Sequence, residues 1–304
     1  MPEDRDAELS ELLEEVRRID VQASRLVTDV MAGGYSSVFR GSGIEFDRVR
    51  EYVEGDPQRA VDWNVTARVG RPFVREYVDE RELTVLFLLD LSASMAGGFS
   101  HWSARQTAAR VCACLALSAI RNNDKVGLIA FSEAVDRYVP AKKGAGHAMR
   151  IVRDCLALPG SSARTDLTPA LEFAARVVRR HAILFLVSDF LAQGWADALT
   201  LCARRHDVVA VRLRPPELAP PDAGLLRVRD PESGRETVID WSSARVRAAY
   251  AERVAVRRTE TEDGLRRAKV DLMDVPISRE HSIDMVARPI LKFFRMRERR
   301  GAKR

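Results

Sequence analysis

The stretch from Leu83 to Ser94, LTVLFLLDLSAS, restricts the fold of this chain more than any other. It predicts a strand that is apolar on both faces, which a mostly parallel sheet covered by helices on each side accommodates and a half-solvated sheet does not. The strand ends in Asp90, followed by two alternate serines, Ser92 and Ser94. Three oxygen-bearing side chains thus leave one tight loop at the carboxyl end of a strand, where sheets of this kind bind their ligands.

From Leu83 onward strand and helix patterns alternate. Strands are predicted over Leu83–Leu91, Lys125–Phe131, Val135–Val139, Ala182–Val187 and Val208–Leu213, with a short one over Val270–Met273. Helices are predicted over Ser103–Ile120, His147–Leu158, Thr168–Arg180, Trp195–Arg205, Ser242–Lys269 and Ser282–Arg297. Thr168-Pro169 reads as a capping hydroxyl followed by proline at the first helical position. Short connections between alternating elements give an α/β fold with a doubly wound, mostly parallel sheet flanked by helices.

The rest of the chain divides around that domain. Residues 1–34 carry apolar positions at helical spacing from Leu9 to Val30 and predict an amphipathic helix that Gly33-Gly34 stops. Residues 35–82 mix charges, aromatics and turn formers without periodicity, and predict a segment that wraps another surface with Phe46, Tyr52, Trp63, Phe73 and Tyr77 as anchors. Residues 83–297 form the α/β domain, including a hairpin over 225–240 whose turn is Asp230-Pro231-Glu232-Ser233-Gly234. Residues 298–304 are a basic tail.

Composition narrows the class. A chain of 304 residues with 46% apolar content buries a sizeable core without staples. Cys112, Cys114, Cys155 and Cys202 sit inside helical patterns without zinc or redox spacing and predict reduced, buried thiols. The acidic start carries no apolar signal segment, and no apolar run approaches the ~20 residues of a membrane helix, so a soluble cytoplasmic protein with no integral membrane span is expected. The net charge of +5 is spread over interleaved acids and bases, without a basic aromatic stripe, and argues against nucleic acid.

Three loops at the carboxyl ends of the strands hold the chemistry: Asp90, Ser92 and Ser94 in the first, Thr165 in the second and Asp189 in the third. Carboxylate and hydroxyl oxygens from adjacent loops suit a hard cation, with Mg²⁺ expected and Mn²⁺ or Ca²⁺ as alternatives. If Ser92, Ser94 and Thr165 bind directly while Asp90 and Asp189 act mostly through water, the cation stays electrophilic and attracts a carboxylate from outside. The chain lacks a nucleophile elbow, a Walker loop, a dinucleotide fingerprint and a zincin helix, and a non-enzymatic role is expected. The enzymatic alternative is a Mg²⁺-dependent phosphoryl-transfer hydrolase of haloacid-dehalogenase type. That chemistry wants an acid two residues after its aspartate, where this chain has Ser92.

Asp90, Ser92, Ser94, Thr165 and Asp189 resemble, one by one, the metal-ion-dependent adhesion site of von Willebrand factor A-like domains. Upstream, GSGIEFDRVREYVEGDPQRAVDWNVTAR and PFVREYVDERELTV are similar to the signature of the bacterial domain-of-unknown-function family fifty-eight. The resemblance implies a cytoplasmic adaptor or chaperone-like partner of a MoxR-type AAA+ ATPase, binding an acidic residue of a partner or client protein through the metal. It also implies that metal and partner together shift a helix, for which the last is the candidate. Arg50, Glu51, Asp56, Arg59, Asp62, Trp63 and Arg68 either face a partner or pin their segment to its own domain.

Overall fold

A computed structural model describes residues 45–53, 56, 60–78, 82–97, 100–158, 160, 164–277 and 284–301, together with position 14. The expected amino-terminal helix lies outside the described residues. The chain divides into two compact units, Arg40–Glu82 and the remainder.

The smaller unit contains strands that its mixed sequence does not announce. β1 (Glu45–Glu51) pairs antiparallel with β2 (Phe73–Val78), and helix α1 (Trp63–Val69) lies between them in the chain. Asp62 caps α1, its carboxylate accepting from the amides of Asn64 and Val65, and Gly70 ends it at φ 75°, a conformation that favours glycine. The Phe73 amide donates to Thr66 Oγ1 at 3.0 Å and fixes α1 to β2.

In the larger unit, β3 (Thr84–Asp90), β4 (Lys125–Phe131), β5 (Val135–Lys142), β6 (Ile183–Ser188), β7 (Asp207–Arg214) and β10 (Asp271–Pro276) form a six-stranded sheet in the order β10-β7-β6-β3-β4-β5. All pairings are parallel except that of β5 with β4 at the edge, as a doubly wound, mostly parallel sheet requires. A side chain at Gly127 of β4 would put its Cβ 2.9 Å from the backbone of β5, so glycine lets the edge strand close.

The pleat of β3 explains why its sequence is apolar throughout. Val85, Phe87 and Leu89 belong to one core, with α3 (Ala104–Arg121), α4 (Ala145–Ala157) and α8 (Asp284–Gly301). Leu86 and Leu88 belong to the opposite core, with α5 (Thr168–Val177), α6 (Ala196–Ala203) and the end of α7 (Ala244–Arg267). A short helix, α2 (Ala93–Ala96), follows β3 directly. The four cysteines are free and buried, as expected of thiols in helical core positions.

Three expectations need correction. Thr168 is not the cap of α5: it is the first helical residue, and the Asp166 carboxylate accepts its amide at 2.8 Å instead. That helix ends at Val177 rather than at Arg180, because Val178 is already extended. The last helix runs to Gly301, past the expected boundary at 297. Arg297, and Arg300 in the expected basic tail, are held by aspartates. Arg297 makes two hydrogen bonds to Asp207 at 2.7 and 2.9 Å and one to Asp271 at 2.6 Å, and Arg300 reaches Asp271 at 2.7 Å.

The hairpin stands where the sequence puts it: β8 (Leu225–Arg229) pairs antiparallel with β9 (Glu236–Asp240). Its strands are largely exposed, Leu225 at 72% and Val238 at 59%.

Candidate functional site

Strand order reverses between β3 and β6: the chain winds outward from β3 through β4 to one edge and from β6 through β7 to the other. At such a switch point the loops after two neighbouring strands part and leave a crevice at their carboxyl ends. Asp90 closes β3, and Ser188-Asp189 closes β6, so the topology delivers both aspartates to that crevice.

The local chain then turns the donors toward one another. Asp90 is buried, with Oδ1 accepting from the Ser92 amide at 2.8 Å and Oδ2 accepting from the Ser188 hydroxyl at 2.7 Å. The Ser92 and Ser94 hydroxyls lie 3.2 Å apart, and Ser94 hydrogen-bonds the Asp189 carboxylate. After Asp189 the backbone bends through Phe190 at φ 57°, the left-handed region, which strains a bulky residue. Burial of Phe190 and its edge-on contact with Trp195 at 5.6 Å hold that bend. The Leu191 amide in turn donates to Asp189 Oδ1 at 3.0 Å.

Thr165 lies in the second loop, and its hydroxyl donates to Glu232 at the tip of the hairpin at 2.9 Å. The structure therefore brings Asp90, Ser92, Ser94 and Asp189 into one hydrogen-bonded chain. The Thr165 hydroxyl is bonded to Glu232 instead of to any of these four, and the charge of Glu232 raises the Asp189 carboxyl.

Two buried carboxyls this close repel each other. Burial, and then the charge of Asp189, push Asp90 up to about 6. Burial also pushes Asp189 up, against hydrogen bonds from the Leu191 amide and Ser94, and Glu232 adds to the rise. Among the described residues no three His, Cys, Asp or Glu side chains come together as a metal-binding group. A cation here therefore depends on hydroxyl oxygens. The donor set fits one: two carboxylates supply charge, three hydroxyls supply hard neutral oxygen, and burial makes an uncompensated pair of negative charges costly.

Two participants escape a reading of the sequence. Ser188 holds Asp90, and its one signal is its place beside Asp189 at a strand end. Glu232 has no local signal, because its sequence neighbours read only as a turn.

Beside Asp189 opens a groove of about 1000 Å³, lined by Phe190, Leu213, Tyr250 and Val256 among others. It follows α7 away from the switch point.

In the smaller unit, the residues named as a partner surface divide by role. Arg50 grips Asp56 through two hydrogen bonds, at 2.6 and 2.8 Å, which hold the Asp56 carboxyl down at about 2. Glu51 meets Arg71 at 3.3 Å, and Asp62 is spent on its cap. Arg68 is exposed and Arg59 lies outside the described residues. Trp63 is not an anchor: it is 70% exposed, in a helix that buries none of its residues.

The fold and the site define a doubly wound α/β domain with an acidic, hydroxyl-rich switch point, preceded by a small unit of two strands and a helix. The chain belongs to the family described as "Protein of unknown function DUF58", whose profile matches residues 48–260. It is 29% identical over 277 residues to the uncharacterized protein Rv1480 of Mycobacterium tuberculosis (strain ATCC 25618 / H37Rv), which covers 89% of this chain and 86% of that protein. It is 30% identical over 170 residues to the uncharacterized protein MAV169 of Mycobacterium avium, covering 54% of this chain and 95% of that one.

Among solved structures, it is similar to the conserved hypothetical protein BatB from Bacteroides thetaiotaomicron, with a TM-score of 0.44 and 19% identity over 73% of this chain and all of that one. It is also similar to the SpRpn10 VWA domain, with a TM-score of 0.39 and 10% identity over 69% of this chain and 94% of that one. Among the described residues no helix is long and apolar enough to cross a membrane.

Proposed function

We propose that this chain is a non-enzymatic, cytoplasmic protein-binding module that holds Mg²⁺ with Asp90, Ser92, Ser94, Thr165 and Asp189 and recruits an acidic residue of a partner. The observation that carries this reading is the convergence of two buried, mutually repelling carboxyls and a chain of hydroxyls at the switch point of the sheet. With Asp90 already accepting two hydrogen bonds, its charge serves to orient and polarise the serines, and their oxygens face the cation. Neutral donors leave much of the cation's charge uncompensated, and a carboxylate from outside is the natural further ligand. The likeness to the adhesion-site motif supports the same reading. The family resemblance points to a MoxR-type AAA+ ATPase as partner, with this chain as its adaptor or chaperone-like companion.

The hydrolase alternative loses on geometry. A nucleophilic aspartate needs a free, accessible oxygen, whereas Asp90 is fully buried with both oxygens engaged.

Isothermal titration with Mg²⁺ and Mn²⁺ tests the metal. Binding by the native chain that is lost in Asp90→Ala supports it, and absence of binding, or binding unchanged in the variant, overturns it. The partner is tested by co-purification with a MoxR-type ATPase. Retention that is indifferent to chelator and to Ser92→Ala rejects a metal-mediated contact.

A further inference from the structure

We propose that the β8–β9 hairpin is a tethered occupant of this site, with Glu232 supplying from within the chain the carboxylate that a partner would otherwise supply. The inference rests on the metal reading above and adds to it a ligand 67 residues from Thr165 in sequence.

Three observations carry it. First, Glu232 Oε1 lies 2.9 Å from Thr165 Oγ1, one of the five proposed ligands. This is a hydrogen bond between a hydroxyl and a carboxylate, two oxygen types that a hard cation accepts as ligands, and it keeps the Glu232 carboxylate beside Thr165. Second, Glu232 is partly buried while Pro231 and Ser233 on either side of it are exposed, so this side chain is the part of the tip that meets the rest of the domain.

Third, the hairpin is built to present this residue. Asp230 accepts from the Glu232 amide at 3.0 Å and from the Ser233 hydroxyl at 2.6 Å, and Gly234 closes the turn at φ 68°. The tip is therefore ordered by its own bonds, while the strands behind it leave Leu225 and Val238 exposed. A two-stranded ribbon with so little of its surface packed is marginal alone and gains from an anchor at its tip.

The consequence is competition. A carboxylate on a short tether acts at an effective concentration of the order of millimolar, enough to exclude weak, adventitious acids while yielding to a partner with further contacts. The device is a built-in threshold on binding.

The test uses Mn²⁺ as the probe, with affinity and water-proton relaxation measured on the full chain and on Glu232→Gln. The substitution keeps the size of a half-exposed turn residue, and thermal unfolding confirms that the variant folds. Removing a ligand is expected to weaken Mn²⁺ about tenfold. It is also expected to raise the relaxivity of each bound ion, as water fills the position. Hydrogen exchange over 225–240 should slow on adding Mn²⁺ to the native chain and stay unchanged in the variant. If Mn²⁺ binds both proteins with equal affinity and relaxivity, Glu232 is no ligand and the proposal falls while the metal site stands. If the native chain binds no Mn²⁺, the metal reading falls and takes the proposal with it.

Discussion

Ser188 donates its hydroxyl proton to Asp90 across the boundary between β6 and β3, at 2.7 Å, and accepts the Phe190 amide at 3.1 Å. One buried side chain thus fixes the carboxylate after one strand and the strained bend after its neighbour. The two loops of the switch point are held in register by this residue, which carries no charge of its own.

Ser188→Ala should therefore cost more than an ordinary surface hydroxyl. A buried hydrogen bond to a carboxylate is worth about 1.5–3 kcal/mol, and the Phe190 amide loses its acceptor as well. Chemical denaturation at pH 7 should show a loss of roughly 2 kcal/mol. A loss under about 0.5 kcal/mol would show that the loops are positioned without it.

At the opposite end of the sheet, Arg297 ties α8 to the first residues of β7 and β10 through Asp207 and Asp271, with 13% of its side chain exposed. Arg297→Met leaves two carboxylates close together without their shared cation. Breaking a largely buried pair this way costs about 2–4 kcal/mol. The melting temperature should fall by several degrees, with most of the loss of hydrogen-exchange protection in residues 284–301. Fraying confined to the last turn would instead mean that the apolar contacts of Phe293 and Phe294 alone hold the helix.

Much of this architecture is legible in the sequence, because its signals are local. The unbroken apolar run before Asp90 announces a strand covered on both faces, and serine, threonine and aspartate just past strand ends are turn chemistry in the one place where loops can converge. What escapes is carried by long-range pairing. Ser188 meets Asp90 over 98 residues and Glu232 meets Thr165 over 67, and neither contact leaves a periodic trace. β1 and β2 escape for a related reason: theirs is a two-stranded ribbon whose mixed composition shows no alternation. The basic carboxyl terminus reads as solvated charge until Asp207 and Asp271 are brought under it by the sheet.

His206 makes acid stability a test of burial. It is buried beside His181 and Arg205, and burial pushes its imidazole down to about 4 from 6.5. The folded state thus keeps His206 neutral where the unfolded chain protonates it, so its contribution is full above pH 6.5 and is lost as pH falls toward 4. Between pH 7 and pH 5 this amounts to about 2 kcal/mol. Asp90, raised to about 6, acts in the opposite sense over the same window, so the native curve alone hides the effect. The gap between the native chain and His206→Leu isolates it. That gap should shift by about 2 kcal/mol in favour of the variant between pH 7 and pH 5, and a constant gap would place the imidazole in contact with water.

In the smaller unit, two neighbours in sequence differ in what they contribute to its stability. Asp62 is buried and caps α1 with two amides, whereas Trp63, the next residue, is 70% exposed. Asp62→Ala should cost about 1 kcal/mol, as loss of a cap does, and raise hydrogen exchange over 63–69. Trp63→Ala should stay within about 0.5 kcal/mol of the native chain, as exposed positions do. Exposed tryptophans are enriched among contact hot spots, and if the proposed ATPase partner uses this one, the two variants should part ways in co-purification with it. Trp63→Ala should lose the partner with its melting temperature intact, and Asp62→Ala should lose it only as far as α1 unravels. Equal retention by native chain and Trp63→Ala would confine recognition to the switch point.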